Sequence, residues 1–399
     1  MVLNAEDLIY FSVRGLAGRC EGKRGKMMIY LDNAATSYPK PPQVARAMAH
    51  ALETGANPGR AGHALALSAA RIVEGCREAA AQMLCEADAS RVIFAGSATD
   101  ALNMAIHGAL RTGDHVISTL LEHNSVLRPL SELARAGVIT LTLVPPDARG
   151  FVCAADIEAA MLPRTRMVAM THMSNVLGAV QDVRAVGALC RRRNVLFLLD
   201  CAQTAGHLPL DPQAWGVSLL AMPGHKGLLG PQGTGALWVA PGVSLAPMRQ
   251  GGTGSASESM FQPRTLPDGF ESGTLNLPGI AGLRAGIAEA AARGAEAHAR
   301  ITAYCDKLRE ALLFIPGVKV YTPAGASLVS FNIEGVGSQE AAAALDQAGI
   351  AVRGGLHCAP GVHRFLGTLE TGAVRVSPGM DTSKEDVWTL VREVERLAR

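Results

Sequence analysis

Between residues 91 and 239 short apolar, β-branched runs alternate with longer stretches in which alanine and leucine recur at helical spacing. RVIFAG leads into SATDALNMAIHGAL, and HVIST precedes EHNSVLRPLSELARAG, after which VITLTLVP follows. RMVAMTHMSN is succeeded by DVRAVGALCRRR, which gives way at once to VLFLLD. Apolar runs without in-out alternation mark strands covered on both faces, and their regular alternation with helices predicts a largely parallel sheet. Beyond it a long Ala- and Glu-rich stretch, GIAGLRAGIAEAAARGAEAHARITAYCDKLREALL, reads as helix. The strand candidates KVYTP, LVSFNI, IAVRGG and AVRVSP follow, with helical QEAAAALDQAG between two of them. The pattern predicts an α/β chain: a large domain over residues 29–284 and a smaller α+β domain over 285–399, with the first segment packing on the smaller one. Residues 1–28 read as a loose extension ahead of a fold that begins at IYLDNAATS.

Composition narrows the classes. A chain of 399 residues is long for one core, which fits two domains. With 48% hydrophobic and 18% charged residues it is globular, and a net charge of +2 predicts neither a nucleic-acid stripe nor a membrane patch. The one dense basic run, CRRRN at Cys190 to Asn194, reads as a solvated helix end. No apolar run approaches the roughly 20 residues of a membrane helix, and the first residues lack the apolar core of a secretory signal. Eight cysteines, with no CxxC pair and no His/Cys spacing for zinc, predict free thiols in a reducing cytosol and no metal.

In doubly covered sheets ligands bind beyond the carboxyl ends of the strands. After RVIFA, the turn at Gly96, Ser97, Ala98 and Thr99 opens a helix, so it reads either as a plain N-cap or as a phosphate cup. His123 follows STLLE, where a neutral imidazole can stack on a planar ring or simply be structural. Asn175 in THMSNVLG offers an amide. Asp200 ends VLFLLD, and a carboxylate there needs a cationic partner if it is not merely capping the next helix. Gln203 can face the same space. Lys226 lies in the glycine-rich turn of AMPGHKGLLG with His225 beside it, an unusual place for lysine unless it is neutralised or covalently committed. Arg375 ends VRVSP, a candidate clamp for a carboxylate. Pyridoxal phosphate accounts for this set: it requires a lysine, a carboxylate for the ring nitrogen, a phosphate cup, a flat group over the ring, and an arginine for an amino-acid carboxylate.

The pieces YLDNAATS, NPGRAGH, SATDALN, EHNS, SNVLG, DCAQTAG, GHKGLLGPQGTG, ESGTLNLPG and RGGLHCAP run through nearly the whole chain. Together they resemble the group II cysteine desulfurases of the class V aminotransferases, which are fold-type I pyridoxal-phosphate enzymes with a mostly parallel seven-stranded sheet. The resemblance implies that Lys226 binds the cofactor covalently, Asp200 pairs with the ring nitrogen, and His123 stacks on the ring. It further implies that Gln203 and Asn175 flank the ring oxygen and that Ala98, Thr99 and His225 hold the phosphate. Arg375 would hold the substrate carboxylate beside Asn175, with Arg353 and Arg60 also on the substrate side. Thr274, in ESGTLN, would reach the phosphate of a second subunit in a homodimer.

The stretch RGGLHCAP sets a lone thiol in a turn, which by itself reads as a half-buried small residue. By resemblance Cys358 is the nucleophile that takes sulfur from L-cysteine, leaving L-alanine and a persulfide. His357 and Arg353 are the neighbours that would favour its thiolate. The implied setting is a cytoplasmic homodimer that passes sulfur to an acceptor protein, as in iron–sulfur cluster assembly. L-selenocysteine is an alternative substrate, and an epimerase or aminotransferase is the alternative activity within the same family. Two positions depart from the family pattern: Pro223 stands where a phosphate-binding serine or threonine is usual, leaving Ser97 as a substitute donor, and Gly59 stands before Arg60 in place of a histidine. The short loop at Cys358 implies a thiol that travels little.

Overall fold

The structure, a computed structural model, describes residues 28–58 and 62–399. Most of the expected N-terminal extension (residues 1–27), Gly59 and Arg60 lie outside the described residues. Strand β1 (Ile29–Tyr30) is followed by helices α1 (Pro42–Thr54) and α2 (Ala64–Met83). Next come β2 (Val92–Ala95), α3 (Ala98–Ala109), β3 (His115–Thr119), α4 (Asn124–Arg135), β4 (Thr140–Val144) and α5 (Ala154–Ala159). The alternation continues through β5 (Thr165–Thr171), α6 (Val183–Arg193), β6 (Leu196–Asp200), α7 (Pro212–Trp215), β7 (Leu219–Pro223) and β8 (Gly235–Val239). After the long α8 (Leu277–Leu313) come β9 (Val318–Val320), β10 (Val329–Ile333), α9 (Ser338–Gln347), β11 (Ile350–Ala351) and β12 (Arg353–Gly355). The chain closes with α10 (Pro360–Leu366), β13 (Ala373–Val376) and α11 (Lys384–Leu397).

Seven strands form one sheet in the order β2-β8-β7-β6-β5-β3-β4. Five of them, from β7 to β4, are mutually parallel, whereas β8 runs antiparallel to both β2 and β7. The fold is therefore α/β with a mostly parallel seven-stranded sheet. Successive side chains of a strand face opposite sides, and here both sides are apolar. Val168, Met170, Phe197 and Leu199 enter one buried cluster, whereas Met167, Ala169 and Leu198 enter the other.

Helix α8 runs unbroken across residue 284. Ile280, Leu283 and Ile287 of its first half pack on the large sheet; Ile301, Cys305, Leu308 and Leu312 of its second half join the core under the antiparallel sheet β12-β13-β10-β9. The apolar stretch IAVRGG is two strands: β11 pairs with β1 in a parallel pair of its own, and β12 joins the antiparallel sheet beside β13. Arg191, Arg192 and Arg193 form the last turn of α6, which Asn194 closes in the left-handed conformation.

Register sets the level at which strands end. Thr171, Asp200 and Ala221 share one row across β5, β6 and β7. Ala95, Gly235 and Pro223 share another across β2, β8 and β7. The start of α3 is thereby brought beside the turn that follows β7.

The segment leading into α8 is tied to the sheet edge by one buried ion pair. Arg77 donates through Nη1 and Nη2 to Glu271 Oε1 and Oε2 at 2.7 and 2.9 Å, and the Phe94 N–H donates to Oε1 at 2.6 Å. Removing one partner of such a pair strands the other charge, at a cost of about 3–5 kcal/mol. Glu271→Ala is accordingly expected to lower the melting temperature followed by circular dichroism well below that of Glu132→Ala, whose partner Arg135 is exposed. Equal melting of the two variants would contradict this account.

Candidate active site

A cavity of about 220 Å³ opens at the carboxyl ends of β5, β6 and β7 and is closed on one side by residues of β12 and β13. Ten residues expected from the sequence line it: Ala98, Thr99, His123, Asn175, Asp200, Gln203, His225, Lys226, Arg353 and Arg375. Ser97 and Pro223 line it as well. Cys358 and Thr274 are exposed and lie outside the lining.

Asp200 is buried at the end of β6, where its Oδ1 accepts the Ala202 N–H at 2.8 Å. Burial pushes this carboxyl above its ordinary value, while the Ala202 bond and the positive charge of Lys226 oppose that rise. Lys226 stands opposite on the turn after β7. Burial and the Arg375 charge lower its amine to about 8, with Asp200 pulling the other way. The two loops are interlocked behind these groups: a Cβ on Gly206, which has φ +82°, would lie 2.2 Å from the Gly227 carbonyl oxygen, and one on Gly227 would lie 2.3 Å from that of Ala205. Only glycine permits this approach, and it fixes Lys226 relative to the strand that ends in Asp200.

At the β2 end Ser97 caps α3, its Oγ accepting the Asp100 N–H at 3.1 Å. A Cβ on Gly235 would come within 2.7 Å of the Ser97 carbonyl carbon, so the helix start rests directly on β8. The first-turn N–H groups of Ala98 and Thr99 are of the kind that has no partner within a helix and favours an anion. His225 adds an imidazole whose buried Nδ1 has no partner among the described residues. Burial, Lys226 and Lys40 hold that ring at about 4, hence neutral. Helix N–H groups, hydroxyls and an imidazole suit a phosphate, and a carboxylate facing a lysine suits a pyridine ring carrying an aldehyde. The donor set fits pyridoxal phosphate.

His123 caps α4 by accepting the Ser125 N–H on Nδ1 at 3.0 Å, which leaves its ring proton on Nε2. Ser125 Oγ lies 2.8 Å from that Nδ1 and 2.7 Å from Thr99 Oγ1, a chain linking the ring to the start of α3. Burial and the Lys226 charge lower the imidazole to about 4, leaving it neutral and flat at the cavity wall. Ser125 carries a weaker signal, the second position of the helix that His123 caps. Glu122, just before His123, is fully buried, and burial pushes it up to about 8, which keeps it mostly protonated at neutral pH.

Arg375 is 1% exposed and already engaged. Its Nη2 donates to Asp32 Oδ1 at 2.7 Å and its Nη1 to the Asn175 carbonyl at 3.2 Å, whereas Nε has no partner among the described residues. Gln203 Nε2 donates to the Ala34 carbonyl at 3.1 Å. Asp32 and Ala34 belong to the YLDNAATS stretch, whose residues carried no strand-end signal of their own.

The cysteine loop is held rigidly at the cavity rim. His357 and Cys358 both adopt left-handed backbone, with φ of +50° and +57°, a conformation that costs non-glycine residues free energy. The Asn175 side chain donates to the His357 carbonyl at 2.7 Å, and the Asn124 N–H donates to the Cys358 carbonyl at 2.7 Å. A Cβ on Gly361 would lie 2.4 Å from the Leu120 carbonyl oxygen, so α10 sits tight against the strand-end turn. His357 is placed here as a neutral side chain. It is buried, its Nε2 lies 2.9 Å from the Ala373 carbonyl, and burial with the Arg375 charge lowers it to about 3. A neutral ring supplies no positive charge to the thiol; it lines the cavity, and its buried Nδ1 has no partner among the described residues.

Among the described residues no helix is long and apolar enough to cross a membrane, and no group of three or more His, Cys, Asp or Glu side chains is placed to hold a metal. The family model described as Aminotransferase class-V matches residues 29–390. A probable cysteine desulfurase of Methanothermobacter thermautotrophicus is 36% identical over 384 residues, covering 93% of this chain and 94% of that protein. Cysteine desulfurase IscS of Shewanella sp. (strain MR-4) is 32% identical over 93% of this chain and 94% of its own length. The apo structure of a cysteine desulfurase from Thermococcus onnurineus NA1 superposes with a TM-score of 0.87 at 31% identity, covering 93% of this chain and 94% of the other. The Escherichia coli cysteine desulfurase CsdA gives a TM-score of 0.85 at 27% identity over 99% of this chain and 98% of the other. With a family match from residue 29 to residue 390 and these relatives aligned along nearly their full lengths, the chain belongs to the class-V aminotransferases, a family of pyridoxal-phosphate-dependent enzymes.

Proposed function

We propose that this protein is a cysteine desulfurase: it converts L-cysteine to L-alanine with pyridoxal phosphate and takes the sulfur onto Cys358 as a persulfide for delivery to an acceptor protein. The observation that carries this reading is the pinned thiol. Consecutive carbonyls at His357 and Cys358 are held by Asn175, which lines the cavity, and by Asn124, the neighbour of His123. A strained, exposed cysteine fixed to two strand-end residues of an amino-acid cavity is well explained by an attack on a substrate held in that cavity. The named relatives support the same activity.

Pyridoxal phosphate, when bound, withdraws electrons from the substrate α-carbon and loosens the bonds around it. Lys226 would hold the cofactor and would move protons at the substrate α-carbon, a task suited to an amine near 8. Asp200 would keep the ring nitrogen charged, His123 would stack on the ring, and Gln203 and Asn175 would flank its oxygen. Ala98, Thr99 and His225 would hold the phosphate, and Thr274 would reach that of the second subunit in a homodimer. Arg375 receives the substrate carboxylate beside Asn175, with its unpartnered Nε as the donor that Asp32 leaves free. Arg353 and Arg60 serve substrate entry.

The Cys358 thiolate then attacks the substrate sulfur. The S–S bond forms, the C–S bond breaks with its electron pair left on carbon, and a proton completes the methyl group of alanine. Two thiols enter and one persulfide and one new C–H bond leave, so no oxidant is required. Because the loop is pinned, the acceptor comes to the thiol. A cytoplasmic setting agrees with the seven unpaired cysteines among the described residues.

Cys358→Ala is expected to lower alanine release from L-cysteine by about 100-fold or more, with the absorbance of the bound cofactor retained. Alanine at near the wild-type rate would remove the thiol from the chemistry. Capture of pyridoxal phosphate by the cofactor-free protein needs the unprotonated Lys226 amine, so its rate should rise with pH and level off above about 8. Asp200→Asn, which removes a charge that raises Lys226, should move that midpoint down. A rate still climbing toward the ordinary lysine value of 10.5 would contradict this environment for Lys226.

A further inference from the structure

The peptide that presents Lys226 is held by an unusual concentration of donors. The carbonyl of His225 accepts the Thr36 hydroxyl at 3.1 Å, the Ser37 N–H at 3.1 Å, the Ser37 hydroxyl at 3.2 Å and the Lys40 ammonium at 2.6 Å. Lys40 also donates to Ser37 Oγ at 2.7 Å, so the hydroxyl passes on the pull of the charge. A backbone carbonyl has two lone pairs; four donors saturate it. Lys40 is half-buried and makes no ion pair among the described residues, although Glu289 and Asp381 line the same cleft, where both pair with Arg293. Burial lowers its amine to about 8. An ammonium placed this way gives up solvation to hold one peptide oxygen, which surface packing alone does not explain.

The clamp is itself anchored. Asn33 N–H donates to the Ser377 carbonyl at 3.1 Å and Ala34 N–H to Ser377 Oγ at 2.9 Å, while Asp32 pairs with Arg375. Residues 32–40 thus run from the end of β13 to the turn that follows β7.

We infer that Lys40 is a positioning residue for Lys226: with Thr36 and Ser37 it fixes the His225–Lys226 peptide so that the lysine amine and the His225 imidazole are presented together to the cofactor. This rests on the reading of Lys226 as the cofactor-binding lysine. Lys40 touches neither cofactor nor substrate. Its effect is on how fast the amine is engaged and how rigidly the ring is then held.

The test reconstitutes cofactor-free protein with pyridoxal phosphate and records the capture rate, the visible circular dichroism of the bound cofactor at saturation, and the melting temperature before loading. Lys40→Met is expected to slow capture about tenfold, the scale of one charge-assisted hydrogen bond, and to reduce the dichroism. Lys40→Arg should recover most of both. Thr36→Val, which keeps the charge and removes one donor, should show a smaller loss and serves if Lys40→Met does not fold. Wild-type capture and dichroism in Lys40→Met, or in Thr36→Val should Lys40→Met not fold, would overturn the inference while leaving Lys226 in its role. A lower melting temperature in Lys40→Met with no recovery in Lys40→Arg would overturn it in favour of packing alone. Absence of cofactor dichroism in the wild type, as in Lys226→Ala, would overturn both the inference and the reading beneath it.

Discussion

Opposite charges at the mouth of a buried sheet govern this molecule. Asp200 ends a strand whose preceding residues are fully apolar, where an isolated carboxylate is untenable, and Lys226 rises from the next strand to face it. Each shifts the other toward its charged form while burial pushes both toward neutrality. The result is an amine lowered to about 8 beside a carboxyl held above its ordinary value. Everything that fixes their separation matters: the common register of β5, β6 and β7, the Gly206–Gly227 contact, and the donors that converge on the His225 carbonyl.

A second constraint is that the site is assembled from distant parts of the chain. The large sheet provides the start of α3 and the charge pair. The antiparallel sheet provides Arg353 and Arg375, and the segment after β1 joins the two by pairing Asp32 with Arg375 and Lys40 with the His225 carbonyl. The cysteine loop is fastened to the same frame through Asn124 and Asn175. Its two consecutive left-handed residues, His357 and Cys358, are thereby tied to neighbouring strand ends.

Much of this was legible in the sequence because strand ends announce themselves: an apolar run, then a small or polar residue. That signal placed Ala98, Thr99, His123, Asn175, Asp200, His225, Lys226 and Arg375 around one space, and all eight line it. It was silent about Asp32 and Lys40, since β1 is two residues long and pairs with β11 from the far end of the chain. Nor does the adjacency of His357 to Cys358 in sequence show that its ring is neutral and bonded through Nε2 to the Ala373 carbonyl. The split of IAVRGG between two sheets was hidden for a related reason, because periodicity describes a strand and not its partners.

The most direct measurement is peptide mass spectrometry of the cofactor-loaded protein after exposure to one equivalent of L-cysteine per site with no other thiol present. The account predicts one added sulfur atom on the peptide carrying Cys358, in step with one alanine released per site. Alanine released with Cys358 unmodified, or sulfur distributed equally to the exposed Cys85 and Cys153, would contradict it.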